Sequence, residues 1–279
     1  MNGVEACNRA RYAGRTGYDA WYLTFSDADQ GVGVWLRWTA MRPRAGPEHS
    51  ALWAFVLHRG RPDLQGGIRQ LFEYQPRYRG LHAGEVVSGA RSARWELTLE
   101  SAAAPFAYAG PLVERLLPTG NAMTQPRLSV SGTVEMDGHI HAFRQAPGGQ
   151  GHTWGSGHAR SWNWVHAALG AGWVTGASTP LGSPYGHEMD GRRAARTGLA
   201  AILARRAPRP DRWSAGDFEV TADLDDCVAV EYQDPGGGRR VCYHSEFGRL
   251  TQAGRLLSET AAFEYASENP LPGRPPIKL

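Results

Sequence analysis

The residues with the most chemistry for their length lie between Gly148 and His166, in GGQGHTWGSGHARSWNWVH. His152, His158 and His166 can take up or release a proton near neutral pH. Trp154, Trp162 and Trp164 supply flat apolar surface whose faces attract positive charge. In an extended chain, side chains two residues apart share a face. Trp162, Trp164 and His166 therefore fall on one side of a strand, and Ser161, Asn163 and Val165 on the other. The glycines read as a bend whose backbone comes close to something. Aromatic rings with imidazoles beside them suit a flat, apolar guest and a proton transfer to it. The same residues also fit an aromatic core with satisfied histidines, and the local pattern leaves both readings open.

Composition narrows the alternatives. A chain of 279 residues is enough for one large or two ordinary domains. With 30 Lys+Arg against 27 Asp+Glu, the field is too weak to mark a nucleic-acid partner. The single lysine, Lys278, stands in a proline-rich tail. A G-x-x-x-x-G-K-S/T phosphate loop, a Schiff-base lysine and a Ser-Lys dyad all need a lysine inside the fold, so none is expected. Cys7, Cys227 and Cys242 are too few and too scattered for a zinc site or a disulfide framework, and no metal is expected. Ser156 in WGSG lacks the first glycine of G-x-S-x-G, and HEMD at 187–190 is not H-E-x-x-H, which argues against a hydrolase. The N-terminus has no apolar run, and no stretch nears the roughly 18 apolar residues of a membrane span. The expectation is a soluble, cytoplasmic protein.

The elements that must position the candidate residues are strands. Many glycines, prolines and aromatic residues favour an all-β chain rich in turns. YDAWYLTF, from Tyr18 to Phe25, puts Trp21, Leu23 and Phe25 on one face. In GVWLRWTA, Val34, Leu36 and Trp38 share a face while Trp35 and Arg37 share the other. Bulky groups on both faces suggest a barrel packed inside and covered outside. ALWAFVLH, from Ala51 to His58, is a third strand, with weaker ones near 68–74, 84–88 and 93–99. Prolines at 105, 111, 118 and 126 interrupt the pattern, and the domain boundary is expected within 101–125. The expected domains are 12–118 and 119–268.

Asp137-Gly138 reads as the two-residue turn of a hairpin, with His139 and His141 on one face beyond it. His-x-His can ligate a metal, but Arg144 and Gln145 stand where a cupin would place its Glu. Gly191 to Ala207 is the only helix-like passage. Near the C-terminus, Asp234-Pro235-Gly236-Gly237 reads as a four-residue turn that sets Glu231 opposite Arg240. That register puts Val228, Val230 and Tyr232 on a face with Val241 and Tyr243. It leaves Cys227 and Cys242 as diagonal neighbours about 7–8 Å apart, too far for an unstrained disulfide.

YDAWYLTF, GVWLRWTA, ALWAFVLH and GQGHTWGSGHARSWNWVH together resemble the lipocalin-like family of tocopherol cyclase and carotenoid hydratase (hydroxyneurosporene synthase). The same superfamily holds lipocalin-like cyclases of natural-product pathways. The likeness runs from about Tyr18 to Leu250, and its most specific piece is H-x-W-G followed by W-x-W: His152, Trp154, Gly155, Trp162 and Trp164. The resemblance implies two consecutive calycin-type antiparallel β-barrels and an apolar small-molecule ligand. It also implies chemistry without a cofactor, in which an alkene or quinol is protonated. The hydratases carry an acid just before the motif histidine, where this chain has Gln150 and Gly151. The expected roles are therefore His152 and His166 as proton donors or relays, with Trp154, Trp162, Trp164, Tyr243, Trp21 and Trp38 lining the site. A non-catalytic carrier of a hydrophobic ligand is the alternative, because function sits in the site and not in the fold.

Overall fold

The strands alternate as the sequence predicts, and in the three strands between residues 17 and 58 both faces are buried, each against something different. The computed structural model describes residues 3–12, 15–110, 117–277 and 279; Lys278 and Pro111 lie outside them. A short helix, α1 (Gly3–Cys7), precedes β1 (Gly17–Asp27), β2 (Val32–Arg42), β3 (His49–His58), β4 (Gly66–Phe72), β5 (Ala83–Ser88), β6 (Arg91–Ser101), β7 (Phe106–Ala107), β8 (Thr119–Met136) and β9 (His139–Gly155). After a turn come β10 (Ser161–Leu169), β11 (Gly172–Ser178), β12 (Tyr185–Met189), β13 (Arg192–Arg196), a six-residue helix α2 (Gly198–Leu203), β14 (Arg212–Ala215), β15 (Phe218–Thr221), β16 (Val228–Gln233), β17 (Arg239–Gln252) and β18 (Arg255–Ser267).

The strands form two sheets. The first runs β4-β3-β2-β1-β9-β8-β6-β5 with β7 beside β8, and the second runs β13-β12-β11-β10-β18-β17-β15-β14 with β16 beside β17. Adding nine to each strand number of the first sheet generates the second. The fold is all-β, with two consecutive lipocalin-like barrels. The expected boundary at 118/119 falls inside the first of these sheets. β8 pairs with β6 on one side and β9 on the other, and β9 pairs with β1, so the first sheet ends at Gly155. The prolines interrupt one edge connection, but the hairpin that follows them returns to the same sheet. The real division is the turn at 156–160.

Two layers of core follow from strand parity. Trp21, Leu23, Phe25, Val34, Leu36 and Trp38 fill the first barrel, with Trp95, Val130 and Phe143 from the far strands. The opposite faces of β1–β3 carry Tyr22, Trp35, Trp53 and Phe55, which pack against Trp164, Val230, Tyr232 and Cys242 of the second sheet. The outer cover anticipated for β2 is thus the second barrel. Burying this many aromatic side chains, each worth about 1.5–3 kcal/mol, ties the barrels together. The second barrel has its own small interior around Val165, Trp213, Phe218 and Phe263.

The stretch expected to bend is a straight strand. Gly148 to Gly155 pair with β1 throughout, with His152 opposite Trp21 and Gly151 opposite Tyr22. Gln150, His152 and Trp154 face into the first barrel, while Gly149 and Gly151 face out. A Cβ on Gly149 would overlap the His166 ring of the second sheet, and one on Gly151 would overlap the Tyr22 ring. The glycines keep that outer face flat so that neighbouring rings can close on it.

The Asp137-Gly138 turn forms as read, with both residues at positive φ and Met136 opposite His139. The helical passage at 191–207 becomes β13 followed by α2, which is shorter than expected. The last hairpin shifts by one residue: Gln233 pairs with Arg239, Tyr232 with Arg240 and Val230 with Cys242. Asp234 causes the slip. Its Oδ1 accepts from Gly236 N at 2.9 Å, its backbone N–H donates to Gly238 O at 2.7 Å, and the loop spans five residues instead of four. Glu231 then reaches Arg239, at 3.4 Å, and not Arg240. Cys227 and Cys242 are free thiols.

Candidate functional site

A cavity of about 180 Å³ opens between the two barrels. Its floor comes from outward residues of β1 and β2 (Tyr18, Tyr22, Trp35, Arg37). Its far wall comes from Trp162 and Trp164 on β10, Tyr232 on β16 and Glu264 on β18. Ala201 and Ile202 of α2 line its rim. The lining surface is mostly apolar, much of it from aromatic rings, with Arg37, His158 and Glu264 among its ionisable groups.

Glu264 is the carboxylate at the wall. Trp162 Nε1 donates to its Oε2 at 3.4 Å, and its Oε1 lies 3.2 Å from His244 Nδ1. The other ring nitrogen of His244 lies 2.6 Å from Glu246 Oε1. Both nitrogens face carboxylate oxygens, so both donate and the ring is an imidazolium. Burial alone would push His244 down. Hydrogen bonds and charge from Glu246 and Glu264 outweigh it and hold the ring at about 9. Burial would raise Glu264, but His244 and the Arg37 guanidinium hold it below its usual range. For Glu246 burial prevails and the carboxyl sits above its usual range. Thr24 and Ser26 of β1 hydrogen-bond to Glu246, so the inner end of the array is anchored on the first barrel. His244 also stacks on Trp35, with ring centroids 4.4 Å apart. The result is a buried Glu264–His244–Glu246 array with one end at the cavity and the other, Glu246, buried against Thr24 and Ser26.

The rest of the wall has two parts. Trp164 Nε1 donates to Tyr108 OH at 3.0 Å, and Tyr108 OH hydrogen-bonds to Thr175 Oγ1. These groups are mutually satisfied and fix the Trp164 ring. Opposite them, the Arg37 guanidinium lies 4.3 Å from the centre of the Tyr232 ring, and Tyr18 stacks on His158 at 4.3 Å. His158 Nδ1 is 3.6 Å from Asp234, beyond hydrogen-bond reach, while its backbone N–H donates to Asp234 Oδ2 at 2.9 Å. Burial lowers His158, and this outweighs the opposing pull of Asp234.

The candidates named from sequence divide. Trp162 and Trp164 line the cavity. His166 shares their face, as the alternation implies, but lies beyond the cavity, and among the described residues neither ring nitrogen makes a hydrogen bond of ordinary geometry; burial, only partly opposed by the Gly148 backbone, pushes it down to about 4. His152 is inside the first barrel. Its Nδ1 donates to Cys7 O at 2.8 Å and its Nε2 meets Asp19 Oδ1 at 2.9 Å, with the ring stacked on Trp21 at 4.6 Å. Arg11 and Tyr12 backbone N–H groups donate to the same Asp19, so the N-terminal segment covers this pair. Trp154 packs beside His152. Trp21 and Trp38 are core residues whose indole N–H groups donate to Asn8 O and Arg77 O, both at 3.0 Å. Tyr243 faces away from the cavity and donates to Arg274 O at 2.8 Å. His139 is exposed at the hairpin tip, and His141 sits 5.2 Å from His58.

Sequence reasoning missed Glu264, His244 and Glu246. The available signal was H-S-E at 244–246, which places an imidazole and a carboxylate on one strand face. Glu264 has no comparable local mark, because it joins them only through the pairing of β17 with β18, where it stands opposite His244.

No protein-family model matches the chain. Two uncharacterized proteins of Mycobacterium tuberculosis, from two strains, are each 25% identical over 271 residues, covering 85% of this chain and 81% of the relative. Among solved structures, a Nitrosomonas europaea protein provisionally named AttH superposes with a TM-score of 0.58 at 12% identity, over 90% of this chain and 92% of its own. Kievitone hydratase from Nectria haematococca superposes with a TM-score of 0.50 at 10% identity, over 96% and 93%. At these identities the likeness is one of fold.

Proposed function

We propose that the chain is a cofactor-independent enzyme of the hydratase, cyclase or isomerase type, moving a proton on an apolar small molecule held between the barrels. The observation that carries this reading is Glu264: a carboxylate at the wall of an aromatic cavity, backed by a buried imidazolium and a second carboxylate. Held below its usual range, Glu264 is ionised at neutral pH and serves as the base. It takes a proton from the substrate, or from a water adding to a double bond. It returns that proton to a different carbon, so the net change is an isomerisation, a ring closure or the addition of water. His244 keeps Glu264 oriented and its charge balanced in both states. Trp162 and Trp164 exclude water and hold the substrate in place. The solved structures of this fold include a protein named as a hydratase, which supports the class. Among the described residues no helix is long and apolar enough to cross a membrane, and free thiols fit a reducing, cytoplasmic setting.

The test is proton exchange into carbon. Purified protein is incubated in D2O with a fractionated extract of apolar metabolites, and deuterium uptake is read by mass spectrometry. Wild type should label one compound class, and Glu264→Gln should lower the rate about 10²–10⁴-fold with unchanged circular dichroism. Equal labelling by the variant refutes the assignment of Glu264. Molecules that bind wild type and come back unlabelled would make the protein a carrier.

A further inference from the structure

Building on the reading of Glu264 as the base, we infer that the substrate carries a phenolic or enolisable carbonyl oxygen, held by Arg37 and Tyr18 of the cavity floor and Tyr232 of the far wall, where the Arg37 guanidinium meets the Tyr232 ring. These residues are unlike the rest of the lining. The hydroxyls of Tyr18 and Tyr232 are buried and, among the described residues, make no hydrogen bond of ordinary geometry, with the Thr119 hydroxyl near the first and the Cys242 thiol near the second. Arg37 uses its Nε on Thr39 Oγ1 at 3.1 Å, and its two terminal amino groups make no hydrogen bond or ion pair among the described residues. Buried polar groups of native proteins are almost always paired, so several unpaired donors converging on one cavity point to a partner that arrives with the ligand.

Their chemistry selects the partner. The guanidinium is a donor only, and each hydroxyl has one O–H to give besides its lone pairs, so all three can donate to an incoming oxygen. Burial holds both phenols far above their usual range, so they donate hydrogen bonds and do not ionise. A permanent carboxylate on the ligand would share the cavity with the ionised Glu264 and be repelled by it. An oxygen that is neutral on entry escapes that cost, and it gains negative charge only as Glu264 removes a proton from the conjugated C–H or O–H. The electron pair released to the ring or enolate rests on this oxygen, opposite Arg37. When Glu264 returns the proton to another carbon, the oxygen is neutral again and the atoms balance with no further reactant. Tyr18, stacked at 4.3 Å on His158, and Trp162, 5.6 Å further along the same stack, give a planar conjugated body a place to lie.

Equilibrium dialysis at pH 7 with naphthalene, 2-naphthol and 2-naphthoate tests this without knowledge of the substrate. Wild type should bind 2-naphthol at least tenfold tighter than naphthalene, and 2-naphthoate no tighter than naphthalene. Arg37→Met should reduce the naphthol preference to threefold or less. Tyr232→Phe, which removes a single oxygen and is the safer variant to fold, should reduce it several-fold. The inference is overturned if wild type shows no naphthol preference, if 2-naphthoate binds tightest, if none of the three binds, or if both variants keep the preference. Glu264→Gln separates the two readings. Lost deuterium exchange without any naphthol preference leaves the base standing and removes this subsite, while a naphthol preference with exchange unaffected by Glu264→Gln does the reverse.

Discussion

His244 is titrated when the pH is raised, and the consequence for stability can be worked out from its surroundings. The ring is held at about 9 in the folded protein against an ordinary 6.5. A raised imidazole stabilises the fold fully below the unfolded value, and that stabilisation fades as the pH climbs through the interval and is gone above the folded value. The displacement corresponds to about 3 kcal/mol, a large share of the roughly 5–15 kcal/mol that keeps a protein folded. Urea unfolding at pH 6.5, 7.5 and 8.5 should therefore show the midpoint falling steadily, at about 1.4 kcal/mol per pH unit at its steepest. Stopping at 8.5 avoids the thiols: burial raises Cys227 to about 12 and Cys242 well above its usual range, so their effect begins only as unfolded thiols ionise near 9. His158 and His166 are displaced downward and act below this window. Glu246, displaced upward by burial, adds its own decline from the acid side. His244→Gln should flatten the slope and cost about 3–5 kcal/mol at pH 6.5, because two carboxylates lose the buried cation between them. Adding Glu246→Gln should recover part of that cost by restoring the balance of charge. A wild-type curve that is flat from 6.5 to 8.5, or a His244→Gln protein with the wild-type slope, would refute the imidazolium assignment.

On the acid side, His166 falls to about 4 from 6.5 because burial disfavours its charged form. Stability should drop by about 3 kcal/mol as the pH falls through that interval, and His166→Leu should remove this limb from the same unfolding series. His152→Ala strands the buried charge of Asp19, so it should cost about 3–5 kcal/mol while leaving 2-naphthol affinity within twofold in dialysis of the folded fraction; an unchanged urea midpoint would contradict the buried-pair description.

Much of the fold was legible because strand parity is local. Trp21, Leu23 and Phe25 on one face, and the bulky residues on both faces of β2, reported an interior and an outer cover before any contact was known. The same alternation puts Trp162 and Trp164 on one face of β10, the face that lines the cavity. What was illegible depended on pairing. The prolines at 105–126 mark a break in the chain, and nothing local says that the following hairpin rejoins the same sheet. The glycines of 148–155 look like a bend, since the rings that fill their missing side chains belong to distant strands. The slip at Asp234 had the largest effect. A one-residue change of register exchanges the two faces of a strand, so it turned Tyr243 away from the site and brought His244 into it. The hydrogen bonds of the Asp234 side chain set that register, and no count of turn residues contains them.

The correspondence between the two sheets also fixes an order of assembly. Each half ends on the strand that pairs with its own first strand, β9 on β1 and β18 on β10. As the chain leaves the ribosome, the strands of the first sheet have all their sheet partners once Gly155 has emerged, so that sheet can close before the second is made. It then presents Tyr22, Trp35, Trp53 and Phe55 to solvent until the second barrel arrives to cover them. Of the strands of the second sheet, β18 is the last to be made, and it carries Glu264. Until β18 is made, that aromatic surface stands without a base, and the carboxylate proposed to do the chemistry is among the last groups of the two barrels to reach its place.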